Sequence, residues 1–181
     1  NFEAGDVGKL PVAAINKNEK EIIINIAKRA IEISEEDWIE FETSYKFSGI
    51  RLTRQSFNSL FNAWKDWADL CQLRRNELIT IEADIDRRLI SAYSLESKLS
   101  AEVMQAQVQI AEGSRELDCQ RLISYAIGCM MGRYSLDEPG LIYAHAGNVG
   151  FEPGRYATFP ADADGIVPIT EHLSEKKLAK I

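Results

Sequence analysis

The sequence predicts a mainly α-helical protein with minor β-structure, in which a long spacer-like helix packs with shorter helices, a few short strands and an irregular C-terminal tail. An apolar heptad repeat runs through the centre, cap-forming residues precede further helical stretches, and proline and glycine cluster after Asp137. The chain has 181 residues, with 45% hydrophobic and 27% charged residues. This composition is typical of a globular domain with a packed core.

Residues 1–52 predict one strand followed by short helices. Val7–Ile15 is apolar and β-branched, and Pro11 within it places the strand at a sheet edge, where a missing amide donor is tolerated. Two pairs of residues have the spacing of helix caps: Asn18 with Glu21, and Ser34 with Asp37. A turn is expected over Tyr45–Gly49.

Residues 53–95 predict a single long helix. Apolar residues recur every seven positions, with a second set three residues later: Phe57, Trp64, Cys71, Leu78, Ile85 and Ala92, then Leu60, Trp67 and Ile81. Such a repeat is typical of a helix that buries a narrow seam, and at 1.5 Å per residue it would be roughly 60 Å long. Arg74 and Arg88 interrupt the seam. The helix is therefore expected to bridge domains or to face something polar.

Residues 96–135 predict a strand or turn followed by a helix, and 136–181 an irregular tail. Met104–Ile110 alternates polar and apolar residues, which favours a half-buried strand, although a helix also fits. Gly113-Ser114 predicts a break and a cap. The next helix is expected over Arg115–Tyr134, with these residues inward: Leu117, Leu122, Tyr125, Ala126, Cys129 and Met130.

We expect the chain to be a single fragment of a larger cytoplasmic protein. It begins with Asn1, and the residues after it already read as structured sequence. No signal segment opens the chain and no apolar run approaches the roughly 20 residues that span a bilayer, so no membrane partner is expected. The three cysteines are odd in number and lie in helical patterns, which favours reduced thiols.

The chain lacks the motifs of methyl-transfer and metal chemistry. An adenine methyltransferase holds the flipped base with an acidic or amide residue followed by Pro-Pro and an aromatic, and no Pro-Pro occurs here. The glycine-rich turn that would receive a cofactor is also missing, since Arg51 stands where a second glycine is needed. His145 and His172 have no ligand partners at metal-binding spacing. We therefore assign no catalytic, cofactor-binding or metal-binding residues to this chain.

Basic side chains in the middle of the chain are the candidates for DNA contact. The net charge of −7 argues against indiscriminate DNA coating, but residues 54–99 hold seven basic and seven acidic side chains. The predicted DNA-binding residues are Lys46, Arg51, Arg54, Arg74 and Arg75. Arg51 and Arg54 are favoured because few acidic residues adjoin them in sequence. Exposure on one side would support DNA contact, and pairing with acids would support a scaffold.

Four segments, in order, resemble one protein family. They are NFEAGDVGKLPV at residues 1–12, DWIEFETSYKF at 37–47, LISYAIGCMMGRYSLD at 122–137 and FPADADGIVPI at 159–169. Together they resemble the adenine-specific DNA methyltransferases of the PglX type, from bacterial phage-exclusion and phage-growth-limitation systems. In that family the matching region lies downstream of the catalytic domain.

The resemblance implies a function for a larger parent protein. That parent would methylate adenine in DNA with S-adenosylmethionine, in restriction-modification or phage defence. This chain would then be its non-catalytic DNA-recognition or spacer region. Expected partners are DNA through the parent protein, other domains of the same chain, and a second copy through the seam of the long helix. The alternative is a helical scaffold that docks protein partners without contacting DNA.

Overall fold

The computed structural model describes residues 8–9, 11–54, 58–145 and 149–162, and within them the fold is mainly helical. The α-helices are α1 (Lys17–Trp38), α2 (Arg51–Arg54), α3 (Leu60–Ala92) and α4 (Arg115–Met130). Single 3₁₀ turns occur at Gln105–Gln107 and Pro153–Arg155. The predicted mainly α class is confirmed.

The described residues contain no strand, so the predicted minor β-structure is wrong there. Residues 11–16 have no regular secondary structure; Val7 and Leu10 of the predicted edge strand lie outside the described residues. The Met104–Ile110 segment forms a 3₁₀ turn instead of a strand. The physical reason is a side chain: Arg75 donates hydrogen bonds to the carbonyl oxygens of Gln105, at 2.9 Å, and Val108, at 3.0 Å. These carbonyls are therefore satisfied without a neighbouring strand.

The chain divides into two compact units. The first unit comprises residues 1–34 and 74–109, and the second comprises 35–73 and 110–181. In the first unit, α1 and α3 are joined by ion pairs between Arg29 and Glu77, at 2.7 Å, and between Arg88 and Glu19, at 2.6 Å. The arginine that interrupts the predicted seam at position 88 thus faces a carboxylate of α1.

Helix α1 is one continuous helix where two were predicted. Its cap is Asn16, whose side-chain oxygen accepts a hydrogen bond from the amide of Glu19 at 2.9 Å, so the helix begins ahead of the predicted Asn18 cap. Ser34 does not start a second helix, because its hydroxyl donates to the carbonyl of Ala30 at 2.9 Å within the helix. A serine inside a helix can make this bond to the preceding turn instead of acting as a cap.

The long helix is shorter than the predicted 53–95. Ser59 caps α3, since its hydroxyl accepts from the amide of Asn62 at 3.2 Å. After Ala92 the chain leaves the helix through Ser94, which has a positive φ of 54°, and Leu95 donates back to the carbonyl of Ile90 at 2.9 Å. At 33 residues, α3 is about 50 Å long.

The core of the second unit lies between α3 and α4. Trp67 and Cys71 of α3 pack with Ala126 and Cys129 of α4, all nearly without exposed surface. Against this centre Phe47, Tyr125 and Tyr134 form a cluster of rings with centroids 5.3–6.0 Å apart. The apolar seam predicted for the long helix is thus covered within this unit at these positions. The predicted homodimer through the seam stays a prediction.

Helix α4 agrees closely with its sequence pattern. Ser114 is the cap, as predicted, and Tyr125, Ala126, Cys129 and Met130 are buried. Leu117 is the exception, being exposed near the start of the helix. The helix ends before the predicted Tyr134 because Gly132 takes a positive φ of 73°.

The described part of the predicted irregular tail is tied to the end of α4 by specific hydrogen bonds. Ser135 donates its hydroxyl to the carbonyl of Arg155 at 2.6 Å, and Tyr156 donates its own to the carbonyl of Gly132 at 2.7 Å. The carboxylate of Asp137 accepts from the amide of Thr158 at 2.9 Å and from its hydroxyl. The segment is irregular in secondary structure but held in place.

Candidate nucleic-acid interface

Arg74 and Arg75 are buried in the first unit, whereas the sequence predicted them to be DNA-binding residues. Only 6% of Arg74 and 5% of Arg75 is exposed. Arg75 uses its guanidinium to hold the Gln105–Val108 turn. A buried guanidinium cannot reach a phosphate without breaking these contacts, so this geometry gives Arg75 a structural role.

Lys46 lies on the surface of the second unit in a turn after α1. Its side chain is 46% exposed, and its ammonium pairs with the carboxylate of Glu35, which is 51% exposed. The hydrogen bond to Glu35 raises the pKa of Lys46, so the side chain is charged at neutral pH. An exposed ion pair of this kind contributes little to stability and can exchange its partner.

Arg51 opens α2 and is paired with a residue of α3. Its guanidinium donates to Oδ2 of Asp66 at 3.0 and 3.2 Å. Both side chains keep part of their surface in solvent, 25% for Arg51 and 40% for Asp66. This pair is also accessible to a competing anion.

Arg54 is bound differently, because its carboxylate partner is buried. The guanidinium lies 3.4 Å from Oε2 of Glu40, whose side chain is only 4% exposed, and it also donates to the carbonyl of Gly49. Removing the arginine would leave the Glu40 carboxylate buried without its cation, which is costly. This geometry therefore gives Arg54 a role in stabilising the fold.

The five predicted residues thus fall into two groups. Lys46, Arg51 and Arg54 belong to the second unit and the two buried arginines to the first. Few acidic residues adjoin Arg51 and Arg54 in sequence, but in the fold Asp66 and Glu40 reach them from other elements. This pairing meets the criterion given above for a scaffold, and the assignment of Arg51 and Arg54 to DNA binding stays a prediction. No sequence signal identified these partners, which lie 14 and 15 residues away along the chain.

Two other sequence features have structural explanations. Trp67 lies in the core, and Trp64 packs against it, as expected for the apolar seam. Gly128, in the last turns of α4, leaves room for a ring: a Cβ on Gly128 would lie 2.6 Å from Cδ2 of Tyr134. The close approach comes from the chain turning back on itself.

The described residues offer no cluster of three or more His, Cys, Asp or Glu side chains that could hold a metal ion. Cys119 is exposed, whereas Cys71 and Cys129 are buried, and none of the three forms a disulfide. Burial raises the pKa of Cys129 to about 11, so its sulfur stays protonated at neutral pH. No helix in the described ranges is both long and apolar enough to cross a bilayer.

Fold and site together define a helical segment whose basic side chains are held largely by contacts within the chain. Comparison with known proteins shows which proteins this segment is related to. The chain is 37% identical to the adenine-specific methyltransferase BrxX of Escherichia coli O9:H4 (strain HS) and 31% identical to the adenine-specific methyltransferase PglX of Lacticaseibacillus casei (strain Zhang), each over 94% of its length. The resemblance to the PglX-type methyltransferases is confirmed: the chain is homologous to a segment of these proteins.

The relationship covers a small part of each relative. The chain spans 15% of the length of the BrxX protein and 14% of the PglX protein. No family model matches the chain.

Proposed function

We propose that this chain is a non-catalytic recognition and spacer segment of an adenine-specific DNA methyltransferase that acts in phage defence. The observation that carries the proposal is the similarity to BrxX and PglX over 94% of the chain. The methyl group would come from S-adenosylmethionine bound by another part of the longer protein. The lack of a Pro-Pro motif and of a glycine-rich turn in this chain supports a division of labour of this kind.

The spacer part of the proposal rests on α3. This helix of 33 residues is longer than a compact domain of this size requires, and its residues contribute to the cores of both units. A long helix anchored by burial at Trp67 and Leu78 is suited to separating the recognition and catalytic parts of a larger enzyme. Such a segment would act on the reaction through the position of the DNA.

For the recognition part, Lys46 and Arg51 are the residues through which this segment would contact DNA. Both side chains are partly exposed and pair with partly exposed carboxylates, Glu35 and Asp66. A phosphodiester can take the place of a carboxylate in such a pair, because surface ion pairs are weak and DNA phosphates are closely spaced. Arg54, Arg74 and Arg75 would serve the fold instead.

Methylation by the longer protein tests the division of labour. Trp67→Ala would disrupt the core of this segment and should lower methyl transfer from labelled S-adenosylmethionine to duplex DNA, while the dissociation constant for S-adenosylmethionine stays unchanged. The control is Leu73→Ala, at an exposed position of the same helix. Methyl transfer or S-adenosylmethionine binding by this chain alone would overturn the proposal, as would full activity of the Trp67 variant.

A further inference from the structure

An apolar groove opens on the second unit, apart from the five predicted DNA-binding residues. It has a volume of about 140 Å³ and lies where the starts of α3 and α4 meet α2. Its walls are formed by Leu52, Leu60, Phe61, Trp64, Cys119 and Leu122. An apolar cavity of about 150 Å³ holds a benzene molecule, so the groove fits one aromatic or large aliphatic side chain.

The rim of the groove exposes large apolar side chains to solvent. Leu60 and Phe61 are each 54% exposed at the start of α3. Adjoining exposed apolar side chains beside a half-buried tryptophan are compatible with a protein interaction site, where tryptophan and arginine are enriched among the residues that contribute most to binding.

A cation stands at the mouth of the groove. The Arg115 guanidinium lies 5.7 Å from the ring centroid of Phe61 and 5.5 Å from that of Trp64. Within the described residues it has no ion pair, whereas Arg51 and Arg121 of the same unit each pair with an aspartate. The two rings hold the guanidinium beside the groove, and its charge is available to an incoming anion.

The floor of the groove sets the orientation of an occupant. Asp118 lies there with a side chain only 3% exposed, and Arg121 donates to its Oδ1 at 3.1 Å. Because Asp118 is already paired and the other walls are mostly apolar, an uncharged side chain is favoured inside, and an anionic group is favoured at the mouth near Arg115.

We propose that this groove binds a segment of a partner protein in which an aromatic or large aliphatic side chain lies next to a carboxylate. The apolar side chain fills the space between Leu60, Trp64 and Leu122, and the carboxylate pairs with Arg115. The proposal is carried by charge complementarity at the mouth and by the volume of the groove. It does not depend on the DNA contact proposed for Lys46 and Arg51.

Two isosteric dipeptides test the proposal directly. N-acetyl-Phe-Glu amide and N-acetyl-Phe-Gln amide differ only in charge, and their dissociation constants can be measured from the indole ¹H–¹⁵N resonance of Trp64. Occupancy can also be followed by protection of Cys119, the exposed thiol beside the groove, from a disulfide reagent. We expect the Glu dipeptide to bind about two- to fivefold more tightly at low salt, as an exposed ion pair allows.

Variants separate the two parts of the site. In Arg115→Gln the two dipeptides should bind equally, whereas Leu60→Ala should weaken both by a similar factor. Arg87→Gln, which removes another exposed arginine, is the matched control and should leave the twofold to fivefold preference. Failure of both dipeptides to shift the Trp64 resonance would overturn the proposal. Tighter binding of thymidine monophosphate, or occupancy of the groove by a second copy of the chain, would overturn it as well.

Discussion

The guanidinium of Arg75 donates a hydrogen bond to the carbonyl oxygen of Val108 at 3.0 Å, across 33 residues of sequence. The arginine and the valine are both buried in the first unit. A residue predicted to face DNA therefore closes a turn in the core, and it does so where the sequence pattern predicted a strand. This hydrogen bond accounts for both differences from the sequence prediction. It holds the Arg75 side chain in the interior, and it gives a backbone carbonyl of the segment a partner without a neighbouring strand.

Replacement of Arg75 by methionine should destabilise the chain. The substitution keeps an apolar stem but removes the donors for the carbonyls of Gln105 and Val108, and we expect a loss of about 2–4 kcal/mol in the free energy of unfolding. Urea denaturation followed by circular dichroism measures it. The control is Arg87→Met, at an exposed position, which should change the value by less than about 0.5 kcal/mol. Equal effects would contradict a structural role for Arg75.

Gly128→Ala should also destabilise the fold, although alanine is the better helix former. The new Cβ would lie 2.6 Å from Cδ2 and 2.8 Å from Cε2 of Tyr134, a buried ring stacked on Tyr125. We expect a net loss of about 1–3 kcal/mol, because the clash exceeds the gain in helix propensity. Thermal unfolding provides the measurement. Gly154→Ala is the control, since a Cβ there meets no atom within 4 Å.

The three cysteines should differ sharply in reactivity. A disulfide reagent should modify Cys119 rapidly in the folded chain, and Cys71 and Cys129 only after unfolding, because both are buried. Mass spectrometry after brief exposure identifies the modified thiols. Rapid modification of Cys129 under native conditions would mean that the core around it is open.

Stability should fall at alkaline pH. Burial raises the pKa of Cys129 from about 9 to about 11, so the unfolded chain loses this proton first. The contribution of the thiol is thus complete below pH 9 and is lost as the pH rises through about 11; its size is about 1–3 kcal/mol. Urea unfolding across this range should show a smaller decline in Cys129→Ala. An identical decline in that variant would contradict the assignment.

Acid should loosen the attachment of the tail. The hydrogen bonds from Thr158 lower the pKa of Asp137, so its contribution to stability is present above the ordinary carboxyl pKa and is lost as the pH falls through the lowered value. Asp137→Asn should reduce the dependence of the melting temperature on pH in the acidic range. Asp86→Asn, at an exposed position of α3, is the control. Matching pH profiles for wild type and Asp137→Asn would contradict this role.

The sequence patterns predicted where the helices occur better than they predicted the helix ends or the ion-pair partners of the arginines. The Ser114 cap and the inward face of α4 follow from spacing alone, because a helix buries residues three and four apart. The start of α3 at Leu60 was missed, since no proline or glycine precedes it in the predicted helix. The ion pairs of Arg51 and Arg54 were missed for a different reason: Asp66 and Glu40 approach them only once the second unit has folded.

The exposed groove could not have been found from sequence. Its walls come from three helices, and Leu60 and Trp64 belong to a pattern that predicts a buried seam. Only the fold shows that Leu60 stays exposed and that Arg115 comes to lie over the rings of Phe61 and Trp64. Side chains that meet across different helices leave no periodic signal in the sequence. A site of this kind can therefore be recognised only from the three-dimensional structure.

A salt-dependent DNA titration tests the proposed DNA contact most directly. Fluorescence anisotropy of the chain with a short labelled duplex would compare wild type with the double variant Lys46→Gln and Arg51→Gln, using Lys17→Gln with Arg87→Gln as a charge-matched control at exposed positions. We predict binding that weakens steeply with salt, with a salt slope lowered by roughly two in the first double variant and unchanged in the control. Absence of binding by the folded chain at low salt, or equal loss in both double variants, would contradict DNA contact through Lys46 and Arg51.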